Sequence, residues 1–202
     1  DRFEPLALDI ARFQARWSPG YSRLVDGRGA SFGSVDPIPA LPADVFRLAR
    51  VAVHPPELDA VRFTTSGTTS AERGTHAMRI TDTYRELSLC FGRQALASAW
   101  EGPAVVVALA PPPGPVPESS LGFMMRAFMQ ELDGRSLSVD PSGALFDADS
   151  PARWLANPSG VDVAGLRRAA LVASERKEPL LVLATSFALV LLLDALAGKP
   201  IP

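Results

Sequence analysis

Two short apolar runs constrain the fold of this chain most strongly. Residues 104–110 form a continuous apolar run that contains three valines, and residues 180–184 form a second run. Runs of this length without polar alternation are typical of strands that are buried on both faces. Segments with helical periodicity follow both runs. We therefore predict an α/β fold, with a mostly parallel sheet that is covered by helices on both faces.

Periodicity also predicts the elements around this sheet. Ile10, Phe13 and Trp17 have helical spacing, and Ser18-Pro19-Gly20 is expected to end that helix. The loop from Gly27 to Pro42 follows. A later helix, capped near Thr83, is expected to pack through an apolar face formed by Tyr84, Leu87, Phe91 and Ala95. Further helices are predicted at residues 119–132 and 161–175 and from Ser186 onward, and strands at residues 61–64, 75–80 and 136–139. We expect residues 1–60 to be a helix and Pro-rich lead-in to an α/β subdomain at residues 61–202, together forming one compact domain.

Composition limits the class of protein. Of the 202 residues, 47% are hydrophobic, which excludes a largely disordered chain. The 20 basic and 22 acidic residues leave no basic excess for nucleic-acid binding. With Cys90 as the only cysteine, we expect a reducing, cytoplasmic location.

The longest apolar stretch, residues 180–193, is shorter than the roughly 20 residues of a membrane span. Two histidines and one cysteine without ligand spacing predict no metal site.

One segment carries a chemical signature. Hydroxyl side chains surround Gly67 directly after a predicted strand, and Arg73 follows. Short O–H donors, consecutive backbone N–H groups and a glycine able to adopt positive φ suit a loop that cradles phosphates. Arginine adds charge and a forked donor set. An exposed Ser/Thr/Gly turn is the alternative interpretation. The phosphate-binding residues predicted in this way are Thr65, Ser66, Gly67, Thr68, Thr69, Ser70 and Arg73.

The order of these residues resembles a known signature. Residues 63–74 are similar to [Y/F]-T-S-G-T-T-G-x-P-K-G, the phosphate-binding signature of adenylate-forming enzymes. Within that superfamily the chain most resembles the acyl-protein synthetases, which are fatty-acid-activating ligases related to phenylacetate–CoA ligases. Three further segments resemble that family: residues 38–42 with Phe46-Arg47, residues 73–76 with Thr83-Tyr84, and residues 183–187 with residues 192–194.

The sequence also departs from the superfamily pattern. Ser70 replaces the usual glycine, and Glu72-Arg73 replaces Pro-Lys. The superfamily's metal-binding glutamate, ribose-binding aspartate and adenylation lysine lie later in its sequences, so no catalytic residue is assigned here. The resemblance therefore covers the N-terminal part of the superfamily's large domain. We expect the chain to be a fragment of a longer protein and to be inactive by itself.

The resemblance implies an activity. A carboxylic acid, such as a fatty acid, reacts with ATP in the presence of Mg²⁺ to give an acyl-adenylate and pyrophosphate. The acyl group then passes to a thiol of a protein or of coenzyme A. The loop would hold the β- and γ-phosphates, while His76, Thr185 and Ser186 would line the substrate side. A strand histidine that is satisfied by a neighbour is the alternative for His76. A non-catalytic scaffold or interaction domain that retains the fold is the alternative function.

Overall fold

The chain forms two compact units. The computed structural model describes residues 2–65, 73–96, 98–114, 119–132, 150–157 and 159–198. The first unit is Asp1–Thr81 and the second is Asp82–Pro202. The division falls about twenty residues later than the expected boundary at residue 60. The strands on either side of the hydroxyl-rich loop therefore belong to the first unit, and the apolar runs belong to the second.

The chain is a mixture of helices and strands, as predicted. The elements of the first unit are α1 (Phe3–Trp17), α2 (Pro19–Gly27), α3 (Val45–Leu48), β1 (Val61–Thr64) and β2 (Thr75–Met78). The elements of the second unit are α4 (Asp82–Leu96), β3 (Val105–Leu109), α5 (Ser120–Leu132), β4 (Ala156–Asn157), β5 (Gly160–Val161), α6 (Val163–Arg176), β6 (Leu180–Ala184) and α7 (Ser186–Leu196). The predicted strand at residues 136–139 lies outside the described residues.

The N-terminal helix ends at Trp17, as the sequence predicts, but a second helix follows it and its apolar stripe is exposed. Ser18 ends α1, but Pro19 then begins α2, because the fixed φ of proline suits the first position of a helix. Leu8 and Ala11 are the buried residues of α1. A stripe with alternating spacings of three and four residues is exposed instead, and it consists of Phe3, Leu6, Ile10, Phe13 and Trp17.

Strands β1 and β2 form an antiparallel hairpin. The register pairs Val61 with Met78 and Thr64 with Thr75. These two strands are therefore not part of the predicted mostly parallel sheet but form a separate antiparallel pair. The connection between residues 64 and 75 is too short for the crossover of a dozen or more residues that parallel strands need, so the chain must turn back on itself.

In the second unit, β3 is the centre of a small parallel sheet. It pairs in parallel with β6, from Val105 opposite Leu180 to Leu109 opposite Ala184. On the other edge, Ala108 forms an isolated parallel bridge with Trp154. All five residues of β3 are buried. The two apolar runs thus pair in parallel, in agreement with the predicted α/β class.

Helices cover both faces of β3, also as predicted. Val106 and Ala108 pack in a cluster with Leu89 of α4 and with Met125, Phe128 and Met129 of α5. Val105, Val107 and Leu109 pack in a second cluster with Leu166, Ala169 and Ala173 of α6 and Leu192 of α7. Alternate side chains of a strand point to opposite faces, so a strand between two helical layers is apolar at every position.

The packing face of α4 was predicted incorrectly. Leu87 and Phe91 are exposed, whereas Leu89 and Gly92 are buried. A Cβ atom on Gly92 would lie 2.1 Å from the Phe128 ring, so the missing side chain lets α5 approach closely. An ion pair between Arg93 and Glu131 also joins the two helices. The predicted face would have placed Arg93 and Gly92 away from α5.

Within the described residues, no helix combines the length and apolar character required to cross a bilayer.

Candidate functional site: an arginine-lined cleft on the hairpin

The hairpin closes at the base of the hydroxyl-rich loop. The Thr65 N–H donates to the Gly74 carbonyl over 2.9 Å, and the Gly74 N–H donates to Thr65 Oγ1 over 2.9 Å. These bonds bring the two ends of the loop together. Ser66, Gly67, Thr68, Thr69 and Ser70 lie outside the described residues. Of the predicted phosphate-binding residues, the structure places Thr65 and Arg73, and both are exposed.

The alternation of the strands gives the hairpin two different faces. Arg62 is opposite Ala77 in the register, and Phe63 is opposite His76. Because side chains alternate along a strand, Arg62 and Ala77 share one face with Thr75. Phe63, which is buried, shares the other face with His76. One face of the hairpin is thus basic and the other packs inward.

The basic face of the hairpin forms one wall of a cleft of about 390 Å³. Arg62, Arg73, Thr75 and Ala77 line it from the hairpin. Pro56 and residues 46–50, which include the last three residues of α3, line it from the opposite side. We call this space the arginine cleft, because four of its lining residues are Arg47, Arg50, Arg62 and Arg73.

Asp59 fixes two of these arginines. Arg50 donates to both carboxylate oxygens of Asp59, over 2.6 and 2.8 Å, and Arg62 Nε donates over 2.7 Å. His54 Nε2 lies 2.9 Å from the same carboxylate. The Asp59 side chain is only 4% exposed, although Arg62 is 58% exposed. A buried carboxylate therefore holds charged groups that reach into solvent.

These contacts stabilise the ionised form of Asp59. The hydrogen bonds from Arg50 lower the pKa of the Asp59 carboxyl group well below its usual range. Burial opposes this shift, and the hydrogen bonds from Arg62 and His54 reinforce it. The same carboxylate raises the pKa of the Arg50 guanidinium. Both groups consequently remain charged over the ordinary pH range.

His76 contacts an aromatic ring. The centroid of its ring lies 4.1 Å from that of Phe46. His76 is on the packed face of the hairpin and is not among the residues that line the arginine cleft. His76 thus packs against the ring of Phe46. Its predicted contact with substrate remains a prediction.

A second cavity of about 420 Å³ lies in the first unit. Phe46 and Ala77 line both this cavity and the arginine cleft. The other lining residues are mainly apolar and include Leu41, Val51 and Met78. An apolar space and a cationic space therefore share the wall formed by these residues.

Thr185 and Ser186 lie in the second unit, at the carboxyl end of β6. Both are exposed, and this edge of a parallel sheet is where ligands commonly bind. The residue that caps α7 is Thr185, not Ser186 as the sequence suggested, since Thr185 Oγ1 accepts a hydrogen bond from the Ala188 N–H over 3.2 Å. Thr185 and Ser186 thus belong to a different unit from the hydroxyl-rich loop.

Arg50, Asp59 and Arg62 were not predicted as site residues from the sequence. Two signals were present: the three-residue spacing of Asp59 and Arg62, and an arginine between apolar residues of β1. The contacts of Arg50 depend on tertiary structure, so no local sequence pattern indicates them. Among the described residues there is also no group of three His, Cys, Asp or Glu side chains placed to bind a metal ion.

Comparison with known proteins finds no relative of this chain. No protein-family model, no curated protein and no solved structure matches the chain.

Proposed function

We propose that this chain is the N-terminal portion of an ATP-dependent ligase that activates a carboxylic acid as an acyl-adenylate and transfers the acyl group to a thiol. The observation that carries the proposal is the order of residues 63–74, from Phe63 through the hydroxyl-rich loop to Arg73 and Gly74. The loop connects the two strands of a closed hairpin, so its ends are fixed in space. Fixed ends suit a loop that acts in a reaction which depends on positioning and on stabilising charge at the leaving phosphates.

The donor chemistry beside this loop suits the phosphates of ATP. Arg73 lines a cleft that also contains Arg47, Arg50 and Arg62, and guanidinium groups donate hydrogen bonds without accepting any. Arg73 and Thr65 are the described residues that would lie closest to a nucleotide held by the loop. Mg²⁺, when bound, would neutralise charge on the phosphates, and none of the described residues is assigned to hold it.

The adjoining apolar cavity supports a substrate with an apolar part. Its walls include Leu41, Val51 and Met78, which suit an alkyl or aryl group better than a sugar. A fatty acid is one such substrate. The acceptor in this proposal is a thiol of a protein or of coenzyme A.

The test uses the full-length protein that contains this chain. Incubation with ATP, Mg²⁺ and a panel of carboxylic acids should release pyrophosphate only when the correct acid is present. Gly67→Val should abolish this release, because a side chain would occupy the space left for a phosphate oxygen. Gly33→Val is the matched control, since no atom lies within 4 Å of a Cβ placed at Gly33.

Three results would contradict the proposal. The first is the absence of both ATP binding and turnover with every acid of the panel, which would favour the non-catalytic scaffold or interaction domain. Ser70 and Glu72, which depart from the superfamily signature, favour this second candidate. The second is full activity of Gly67→Val. Robust adenylation by residues 1–202 alone would show that the catalytic groups lie within this chain, contrary to the proposal.

A further inference from the structure

Two guanidinium groups in the arginine cleft retain hydrogen-bond donors. Arg62 uses Nε for Asp59, and its two terminal nitrogens make no hydrogen bond within the described part of the chain. Arg73 has no ion-pair or hydrogen-bond partner among the described residues. Both side chains line the cleft. The cleft thus contains charged donors that the protein itself does not satisfy.

The positive charge in the cleft is concentrated at these two residues. Among the described residues, the carboxylates that interact with these arginines include Asp44, Glu57 and Asp59. Asp44 lies 3.7 Å from Arg47, and Glu57 interacts electrostatically with Arg50. Asp59 is shared between Arg50 and Arg62. Arg73 therefore has no carboxylate of its own within the described residues, and Arg62 shares one.

Asp59 also orients the cleft before a ligand arrives. Its bond to Arg62 Nε fixes the guanidinium plane at one edge and leaves the opposite edge directed away from Asp59. Because a guanidinium group is planar, holding one edge determines where the remaining N–H groups point. Orientation in advance reduces the entropy lost when a ligand binds.

We propose that the arginine cleft binds a phosphate group, either free phosphate or the phosphate of an organic ester, through Arg62 and Arg73. A tetrahedral phosphate presents three or more oxygens and a charge near −2, so it can accept hydrogen bonds from two separate guanidinium groups at once. A carboxylate has two oxygens in one plane and a single charge. It would satisfy only one of the two arginines fully. The small side chains of Thr75 and Ala77 leave room between them.

This site does not depend on the ligase proposal. The residues that form it lie on the face of the hairpin and in the segment of α3, and all are described residues. If the cleft binds phosphate but the full-length protein neither binds nor consumes ATP, the ligase proposal fails and this one stands. If ATP turnover is observed but Arg62→Gln and Arg73→Gln leave phosphate binding unchanged, the phosphate-site proposal fails and the ligase proposal stands.

Titration calorimetry on the 202-residue chain at low ionic strength tests the proposal. Inorganic phosphate should bind saturably at one site, and acetate should bind more weakly. Arg62→Gln and Arg73→Gln should each weaken phosphate binding by about tenfold or more, because each removes charge-assisted hydrogen bonds. Arg23→Gln is the matched control: it removes the same charge from an exposed position on α2, outside the cleft, and should leave binding unchanged.

Glycerol 3-phosphate distinguishes the two sources of the phosphate group. Tighter binding of the ester than of free phosphate would identify an organic phosphate as the ligand, and binding of free phosphate alone would identify the free ion. Arg73→Gln keeps the test clear of folding defects, because Arg73 has no contact with Asp59. Absence of saturable phosphate binding would overturn the proposal, as would equal weakening by Arg23→Gln and by the two cleft variants.

Discussion

The second unit is built around β3, a strand in which every residue is buried. The first unit has a smaller core, and Arg50 and Arg62 form ion pairs with its buried Asp59 carboxylate. In the second unit, two apolar clusters cover the two faces of the sheet. In the described part of the first unit, the buried hydrophobic side chains are fewer and include Leu8, Ala11, Tyr21, Val25 and Phe63. The second unit therefore buries more apolar surface, whereas the first is distinguished by the ion pairs of Asp59.

The largest effect is expected in the core of the second unit. Leu166 of α6 is fully buried against β3. Leu166→Ala should lower the free energy of unfolding of this unit by about 2–5 kcal/mol, because it removes buried apolar surface and leaves a cavity. Leu171→Ala on the same helix is the control, since Leu171 is 52% exposed. Hydrogen exchange of the β3 amides measures the change. Equal effects of the two variants would contradict the buried-sheet description.

A smaller effect is expected where α4 meets α5. Gly92→Ala should destabilise the second unit by about 1–3 kcal/mol, because the added carbon must displace the ring of Phe128. Gly122→Ala in α5 should be neutral or stabilising. Its added carbon would make only ordinary contact with Ser119, and alanine is the better helix former. Thermal unfolding followed by circular dichroism compares the two variants. If Gly92→Ala is tolerated as well as Gly122→Ala, the two helices do not pack as described.

A change of about 1 kcal/mol is expected at Thr185, the N-cap of α7. Thr185→Ala should increase hydrogen exchange in the first turn of α7, whereas Thr185→Ser should preserve the cap. The same pair of variants also tests the predicted substrate contact. If Thr185→Ala reduces ligase activity without affecting the helix, the hydroxyl contacts substrate. If exchange rises and activity is retained, its role is limited to capping.

The smallest effect is a loss of stability of the first unit at acidic pH. Because contacts in the folded state lower the pKa of Asp59, the stability that its carboxylate contributes is present above its unfolded pKa of about 4. That contribution is lost as the pH falls toward the lower folded pKa. The first unit should therefore lose stability below about pH 4, and Asp59→Asn should flatten this part of the profile. Asp36→Asn, which changes an exposed carboxyl group of the same unit, is the control. An unchanged acid profile in Asp59→Asn would contradict the role of the ion-pair network.

The difference between the units also explains what the sequence could predict. The strand β3 was predictable because burial on both faces leaves a continuous apolar run, which is a local signal. The similar run of β6 also predicted a strand, but burial on both faces was wrong for it, since Leu183 is its only buried residue. The antiparallel hairpin was less apparent. Its short strands, Val61–Thr64 and Thr75–Met78, alternate in character, and pairing direction depends on the length of the connection.

The candidate site was only partly predictable for a similar reason. The loop and Arg73 were apparent from residue types that are adjacent in sequence. Arg50 and Asp59 are brought together by folding, and the burial of Asp59 has no counterpart in the local pattern. On α4, in contrast, a local pattern gave a wrong prediction. Leu87 and Phe91 have helical spacing but are exposed, and Gly92 on the other face determines where α5 packs.

The most direct test of the contrast between the two units is a nuclear magnetic resonance titration of the 202-residue chain with phosphate, monitored at the backbone amides. We predict that the amides of residues 46–50, 62 and 73–77 shift together and saturate at one concentration, while those of β3 and β6 do not move. Shifts centred on Thr185 and Ser186, or spread evenly over both units, would contradict the claim that the first unit carries the anion-binding chemistry.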